Sequence, residues 1–314
     1  SLFGGGSDYP AWFRLHGGAC LAATIDRYCH VSVRWLPPFF AHKNRIVWSK
    51  IELVKDRSEI EHPAVRAALE MLGIEDGVEI HHDGDLPARS GIGSSSAFAV
   101  GLLHALHALK GEFVGPERLA EEATRLERDV LFEPVGCQDQ LLCALGGLRL
   151  ITWEPGGAWR ADPVPLAPGI LRALEERLLL VYTGPRPDGA APVQPAGQNA
   201  AALARIQEMP RQGVECLAAA DWAGFGALLE HAWREKQSLA AGIVTREISD
   251  LCLRLHWEGA AAVKLLGAGG GGFLLVYAEP DRWGPILRTL EGMVTLPVRF
   301  AGRGSELVHY GADA

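Results

Sequence analysis

The segment Ser90-Gly91-Ile92-Gly93-Ser94-Ser95-Ser96-Ala97 is where this chain concentrates groups able to hold an anion. Two glycines let consecutive backbone N–H groups converge, and three serines make the first turn of a following helix rich in hydroxyls. That helix is read from Phe98, Leu102, Leu106 and Leu109, at helical spacing, and it stops at Lys110-Gly111. Its N-terminus offers unpaired donors and the positive end of a dipole, for which phosphate is the usual guest. The loop carries no lysine, so it is neither the Walker-type cradle nor the dinucleotide fingerprint. A serine-capped helix after a flexible loop is the plainer alternative.

Two more glycine clusters stand at the ends of the chain. Gly267-Ala268-Gly269-Gly270-Gly271-Gly272 holds five glycines in six positions, more than a tight hairpin needs. It is either a structural turn or a place where backbone approaches a ligand or another segment. Gly4-Gly5-Gly6 precedes Ser7-Asp8, and Asp8 can aim its carboxylate into a cleft or close an Asx-turn. A phosphorylated ligand needs cations, and the candidates are Lys43 and Arg45, Arg89 beside the serine loop, and Arg186. Lys43 and Arg45, separated by Asn44, can share one side of a strand; a solvated edge strand is the alternative.

These loops need elements to hold them. Val78, Ile80 and His82 alternate as a half-buried strand would, closed by Asp83-Gly84 ahead of the serine loop. Strands are expected at Val31–Trp35, Arg45–Ser49, Gly146–Trp153, Leu178–Tyr182, Ala261–Leu266 and Phe273–Tyr277. Helices are expected over Pro63–Leu72 and Pro116–Leu131, each opened by proline, and from Ala200, Trp222 and Thr245. Pro155-Gly156-Gly157 is a strong mid-chain break, and a domain boundary is expected near residue 165. Ser1-Leu2-Phe3 reads as the tail of a strand in a chain without an initiating methionine, so native residues are expected upstream.

Composition narrows the classes. A chain of 314 residues, 48% hydrophobic and 22% charged, can build two cores. A net charge of −8 argues against general nucleic-acid or acidic-membrane binding. Six scattered cysteines without CxxC spacing read as buried thiols in a reducing cytoplasm. No apolar run reaches membrane-spanning length.

Three glycine loops in this order resemble the three motifs of the GHMP small-molecule kinases. Leu86-Pro87 followed by Gly91-Ile92-Gly93-Ser94-Ser95-Ser96-Ala97 is similar to the LPxxxGLGSSAA phosphate loop; Gly267–Phe273 is similar to the third motif, and Ser7-Asp8-Tyr9 to the first. Within the superfamily, Phe3–Tyr9, Ala23–Tyr28, Leu36–Phe40, Arg45–Lys50 and Lys264–Gly267 resemble the D-glycero-D-manno-heptose 7-phosphate kinases. The resemblance implies a two-domain α+β fold, an N-terminal domain over 1–165 and a ferredoxin-like C-terminal domain over 166–314, with ATP and substrate in the cleft between them.

It also implies roles. ATP would lie over Gly91, Gly93, Ser94, Ser95 and Ser96, with Gly269 and Gly270 of the third motif. Mg2+ would take oxygens from Ser95 and from Glu127, which lies beside the apolar stripe Leu119, Ala123, Leu126 and Val130. Asp139, in Gly136-Cys137-Gln138-Asp139-Gln140, would orient the sugar's anomeric hydroxyl and accept its proton. Ser7, Asp8, Arg89, Lys43, Arg45 and Arg186 would bind the sugar phosphate. The reaction implied is cytoplasmic, ATP-dependent phosphorylation of heptose 7-phosphate at C1 on the way to nucleotide-activated heptose, as in lipopolysaccharide or capsule synthesis. Its partners would be small molecules, with no nucleic acid or membrane and with a homodimer allowed. The alternatives are a fucose- or galactose-type sugar 1-kinase, or a non-catalytic sugar-binding protein of the same fold.

Overall fold

The computed structural model describes residues 1–88, 90–185, 199–239, 243–267 and 269–311. The first half runs α1 (Pro10–His16), β1 (Gly18–Ala23), β2 (Cys29–Trp35), β3 (Asn44–Val47), β4 (Ile51–Val54), α2 (Pro63–Met71), β5 (Val78–Gly84), α3 (Ser94–Leu109), α4 (Pro116–Arg125), α5 (Gln138–Leu145), β6 (Leu148–Trp153) and β7 (Trp159–Pro163). The second half runs α6 (Pro168–Glu175), β8 (Leu178–Tyr182), α7 (Ala200–Ala218), α8 (Trp222–Gln237), α9 (Arg246–Trp257), β9 (Ala262–Leu265), β10 (Phe273–Tyr277), α10 (Trp283–Thr289) and β11 (Thr295–Pro297).

Strand β1 is apolar along its length because both of its faces are covered. Cys20 and Ala22 join a core with Phe98, Leu102 and Leu142, while Leu21 joins Phe3, Leu148 and Phe225. Its sheet, ordered β1-β6-β7, therefore lies between the core of the first half and one built largely by the second. The other first-half sheet is ordered β2-β5-β3-β4, with β3 parallel to β5 and the remaining pairs antiparallel. Helix α3 packs beneath it through Phe98, Leu102 and Leu106.

The second half closes an antiparallel sheet in the order β11-β8-β10-β9, the β-α-β-β-α-β arrangement of ferredoxin-like folds. Its alternate residues feed two cores: Leu274 and Val276 on one side, Phe273, Leu275 and Tyr277 on the other. Residues 299–304 then return to the first half. Asp26 N–H donates to Arg299 O at 2.9 Å, Thr24 Oγ1 to Ala301 O at 2.7 Å, and Gly147 N–H to Ala301 O at 3.1 Å.

The α+β class and the element types stand, with local corrections. The expected 116–131 helix is α-helical only to Arg125; Leu126–Val130 form a π-helical turn that leaves Val130 exposed, so Val130 drops out of the apolar stripe. Strand β5 does not alternate, because Glu79 is as buried as Val78 and Ile80. Strand β3 ends at Val47 and lies inside its sheet, so the solvated edge-strand alternative fails. All six cysteines are free thiols.

Candidate active site

The serine loop leaves β5 and turns through Gly91 (φ 80°) and Gly93 (φ 79°) into α3, whose first three residues are Ser94, Ser95 and Ser96. L-residues other than glycine pay for such backbone angles. No side chain caps this helix, so its first N–H groups remain available to an anion. Ser90 is fully buried, and its hydroxyl has no hydrogen-bond partner among the described residues.

The loop is clamped by the third glycine cluster, which joins β9 to β10. Phe273 N–H donates to Ser90 O at 3.1 Å. A β-carbon at Gly272 would stand 2.2 Å from Ser90 O, and one at Gly267 would stand 2.4 Å from Gly91 Cα. Glycines at 267 and 272 thus let two backbones touch. Gly269 and Gly270, the expected nucleotide contacts, pack on Ile243: Gly270 N–H donates to Ile243 O at 3.0 Å, and a β-carbon at Gly269 would meet that oxygen at 3.0 Å.

Glu127 stands in the π turn, 2% exposed. Such single turns recur at functional sites because the extra residue re-aims the side chains around it. Glu127 Oε2 accepts from Ser96 Oγ at 2.8 Å and from Gln140 Nε2 at 2.6 Å, with Ser95 a neighbour that also lowers this carboxyl. Burial raises the Glu127 carboxyl above its ordinary range, against the lowering effect of those bonds. Among the described residues no cluster of three or more His, Cys, Asp or Glu is placed to enclose a metal. A buried carboxylate at the serine-rich start of α3 nevertheless fits a magnesium ion that shares its remaining coordination with phosphate and water. Ser95 and Glu127 are the residues that would hold it.

Asp139 lies in the first turn of α5, facing the start of α3. A β-carbon at Gly93 would be 3.5 Å from Asp139 Oδ2. Burial raises the Asp139 carboxyl, opposed in part by the positive charge of Lys236. Asp8 backs the same turn: its Oδ2 accepts from Gln138 N–H at 3.4 Å, its backbone carbonyl from Cys137 N–H at 3.1 Å, and its Oδ1 from Gly6 N–H at 2.9 Å. Only glycine fits at 136, where a β-carbon would fall 1.8 Å from Asp8 Oδ2. Asp8 is 2% exposed and its carboxyl is raised by burial, with Asp139 adding to the shift.

Three expected ligand contacts are not assembled here. Ser7 is fully buried, with Oγ 2.8 Å from Gly4 O, 2.9 Å from Ala19 O and 3.2 Å from Ala19 N. The backbone satisfies that hydroxyl, so Ser7 pins the first glycine loop to β1 and does not reach a ligand. Arg45 lies in register with Glu79 and forms an ion pair with it at 3.5 Å. From Glu79 to Gly84, where β5 delivers the serine loop, the strand spans about 17 Å. Lys43, exposed and two residues further from that end, is more remote still. Arg89 and Arg186, also expected to bind substrate, lie outside the described residues.

Lys236 and Gln140 join the site without having been anticipated. Gln140 follows Asp139 in sequence and reaches Glu127, so proximity to the acidic segment was its only signal. Lys236 comes from the last turn of α8, in the second half, and its Nζ donates to the carbonyl of Gly267. Burial lowers its pKa to about 8, against the raising effect of Asp8 and Asp139.

Comparison with known proteins agrees with this arrangement. Residues 56–147 match the GHMP kinases N terminal domain, and residues 214–282 match the GHMP kinases C terminal domain, together just over half of the chain. The chain is 27% identical over 245 residues to a bifunctional fucokinase/GDP-fucose pyrophosphorylase of Arabidopsis thaliana, covering 72% of this chain but only 23% of that protein. It is 23% identical to the D-glycero-alpha-D-manno-heptose 7-phosphate kinase of Campylobacter jejuni, over 92% of this chain and 90% of that one. Its fold matches the crystal structure of a D-glycero-D-manno-heptose 1-phosphate kinase from Bacteroides thetaiotaomicron, with a TM-score of 0.78, 24% identity, and coverage of 96% and 94% of the two chains. From the two domain matches, and from glycine loops that meet over a buried glutamate and an aspartate, the chain belongs to the GHMP kinase family.

Proposed function

We propose that this protein is a cytoplasmic sugar kinase that transfers the γ-phosphoryl group of ATP to the anomeric C1 hydroxyl of D-glycero-D-manno-heptose 7-phosphate, giving the 1,7-bisphosphate. One observation carries the reading: the uncapped, serine-rich start of α3 faces Asp139 across Gly93, with Ser96 bonded to the buried Glu127 alongside. In this reading residues 1–165 and 166–314 form the two sides of the cleft.

The N–H groups at the start of α3 hold the phosphates, and Gly91 and Gly93 keep that approach clear of side chains. Bound at Ser95 and Glu127, Mg2+ supplies charge neutralisation for the phosphates. Asp139 orients the acceptor hydroxyl; its proton passes to the carboxylate as the new oxygen–phosphorus bond forms and the bond to ADP breaks. Its raised pKa makes Asp139 a better acceptor for that proton than an exposed aspartate. Asp8, against the N-terminal turn of α5, hydrogen-bonds the sugar with its remaining lone pairs and fixes the turn that carries Asp139. Phosphoryl transfer draws mainly on positioning and charge stabilisation, so the loop contacts outweigh the basicity of Asp139.

Heptose as acceptor is favoured by the Campylobacter relative, which this chain matches over nearly its whole length. A fucose-type acceptor is the second reading, favoured by the plant relative. An ADP-release assay with heptose 7-phosphate, free heptose, fucose, galactose and mevalonate decides between them. The expected result is turnover of heptose 7-phosphate at least tenfold above the others in kcat/KM. Preference for free fucose or galactose overturns the substrate, and no ATP-dependent product with any acceptor overturns the kinase.

A further inference from the structure

We propose that Lys236 is a catalytic residue of this site, its ammonium contacting the phosphoryl group as it passes from ATP to the acceptor oxygen. The inference rests on the kinase reading above but not on which sugar is the acceptor. Lys236 belongs to the second half of the chain, whereas the serine loop and Asp139 belong to the first. It reaches them through the third glycine loop: Nζ donates to Gly267 O and lies 3.5 Å from Leu265 O. Gly267 is the residue whose missing side chain lets that loop lie on Gly91. The ammonium is therefore fixed at the seam where the two glycine loops touch.

An ammonium has three donors. Two face the carbonyls of Leu265 and Gly267, and the third has no partner among the described residues. Charge supports the same assignment. Asp8 and Asp139 bring two carboxylates to the start of α5, beside the loop that in this reading receives the phosphates of ATP, and such a concentration of negative charge calls for a cation. Lys236 lies in the field of both Asp8 and Asp139. The neighbouring Lys264 has a different occupation. It is 4% exposed and donates to Leu2 O at 2.6 Å and Ser1 O at 3.0 Å, holding the N-terminal segment.

The test compares Lys236→Met, Lys236→Gln and Lys236→Arg with the unaltered protein. Gln retains a donor for the Gly267 carbonyl without the charge. Binding of Mg·ADP is measured with and without aluminium fluoride, which mimics the phosphoryl group in flight and needs no sugar. The unaltered protein is expected to bind ADP more tightly with fluoride. Met and Gln are expected to lose that gain while binding Mg·ADP alone within threefold, and Arg to recover part of it. With any sugar the protein phosphorylates, kcat is expected to fall by about 100-fold or more in Met and Gln with little change in the KM for ATP. If Met and Gln retain the fluoride gain, or if they weaken ADP equally with and without fluoride, Lys236 serves only to pack the seam and the inference falls. Turnover of a sugar other than heptose 7-phosphate sinks the substrate reading alone, because the fluoride measurement does not depend on the acceptor.

Discussion

Gly93 and Asp139 face each other so closely that a single methyl group at residue 93 would stand 3.4 Å from the Asp139 carboxyl carbon. The start of α3 and the carboxylate on α5 thus lie within van der Waals reach of any side chain at residue 93. Gly93→Ala also forces alanine into a left-handed conformation, at a cost of about 1–2 kcal/mol. We predict a lower Tm and a fall in kcat of at least tenfold. Steady-state assays beside thermal melts check this; unaltered kcat would show that the separation is not critical.

Asp139→Asn removes the acceptor for the proton. Turnover is predicted to drop by about 10²–10⁴-fold, with nucleotide affinity within threefold of the unaltered protein. Stability should move the other way. The Asp139 pKa is raised in the folded state, so its contribution is present at low pH and lost as pH rises through that pKa. Asparagine is free of this loss, so Tm at neutral pH is predicted to rise. Activity that survives with normal kcat would remove Asp139 from the proton transfer.

Glu127→Gln keeps the volume but loses the charge in the π turn. The Mg2+ concentration for half-maximal rate is predicted to rise by about tenfold or more, as for lost metal-site contacts elsewhere. A magnesium titration at saturating ATP reads it, and an unshifted midpoint would leave Glu127 a purely structural acceptor for Ser96 and Gln140.

Lys43→Ala and Ser7→Ala test what the fold removes from the site. Lys43→Ala is predicted to change the KM of the sugar phosphate by less than twofold, because Lys43 lies beyond the far end of β5. Ser7→Ala leaves the Ala19 backbone without its buried partner and is predicted to cost about 1–3 kcal/mol. Denaturant unfolding measures that loss, while kcat is expected to remain within threefold.

The glycine loops were legible because backbone conformation demands glycine at particular positions. Gly91 and Gly93 need positive φ, and Gly267 and Gly272 need close approach. Asp139 and Glu127 were nameable only through the motif resemblance. Helical periodicity alone misplaced Val130, because a π turn shifts the register by one residue. Nothing local in the sequence tells that β3 inserts beside β5, parallel and at its opening end, which carries Lys43 and Arg45 away from the end that delivers the serine loop. Lys236 resembles any lysine near the end of an amphipathic helix. Its place at the seam of the glycine loops arises only when α8 docks beside the turn after β9, a contact between residues about thirty apart.

The return of residues 299–304 to the first half has a consequence for how this protein comes into being. Thr24, Gly147 and the backbone around Asp26 are stitched to residues 299–301, and Gly304 lies so close to Ala144 that a β-carbon there would stand 2.1 Å from its carbonyl oxygen. During vectorial synthesis the half that carries α3, Glu127 and Asp139 must wait, with part of its surface unclosed, until residues 299–304 have left the ribosome. Contacts of such long sequence separation form slowly, so a chain cut upstream of residue 299 is left with that seam open. An open seam of this kind is the surface that chaperones and proteases engage.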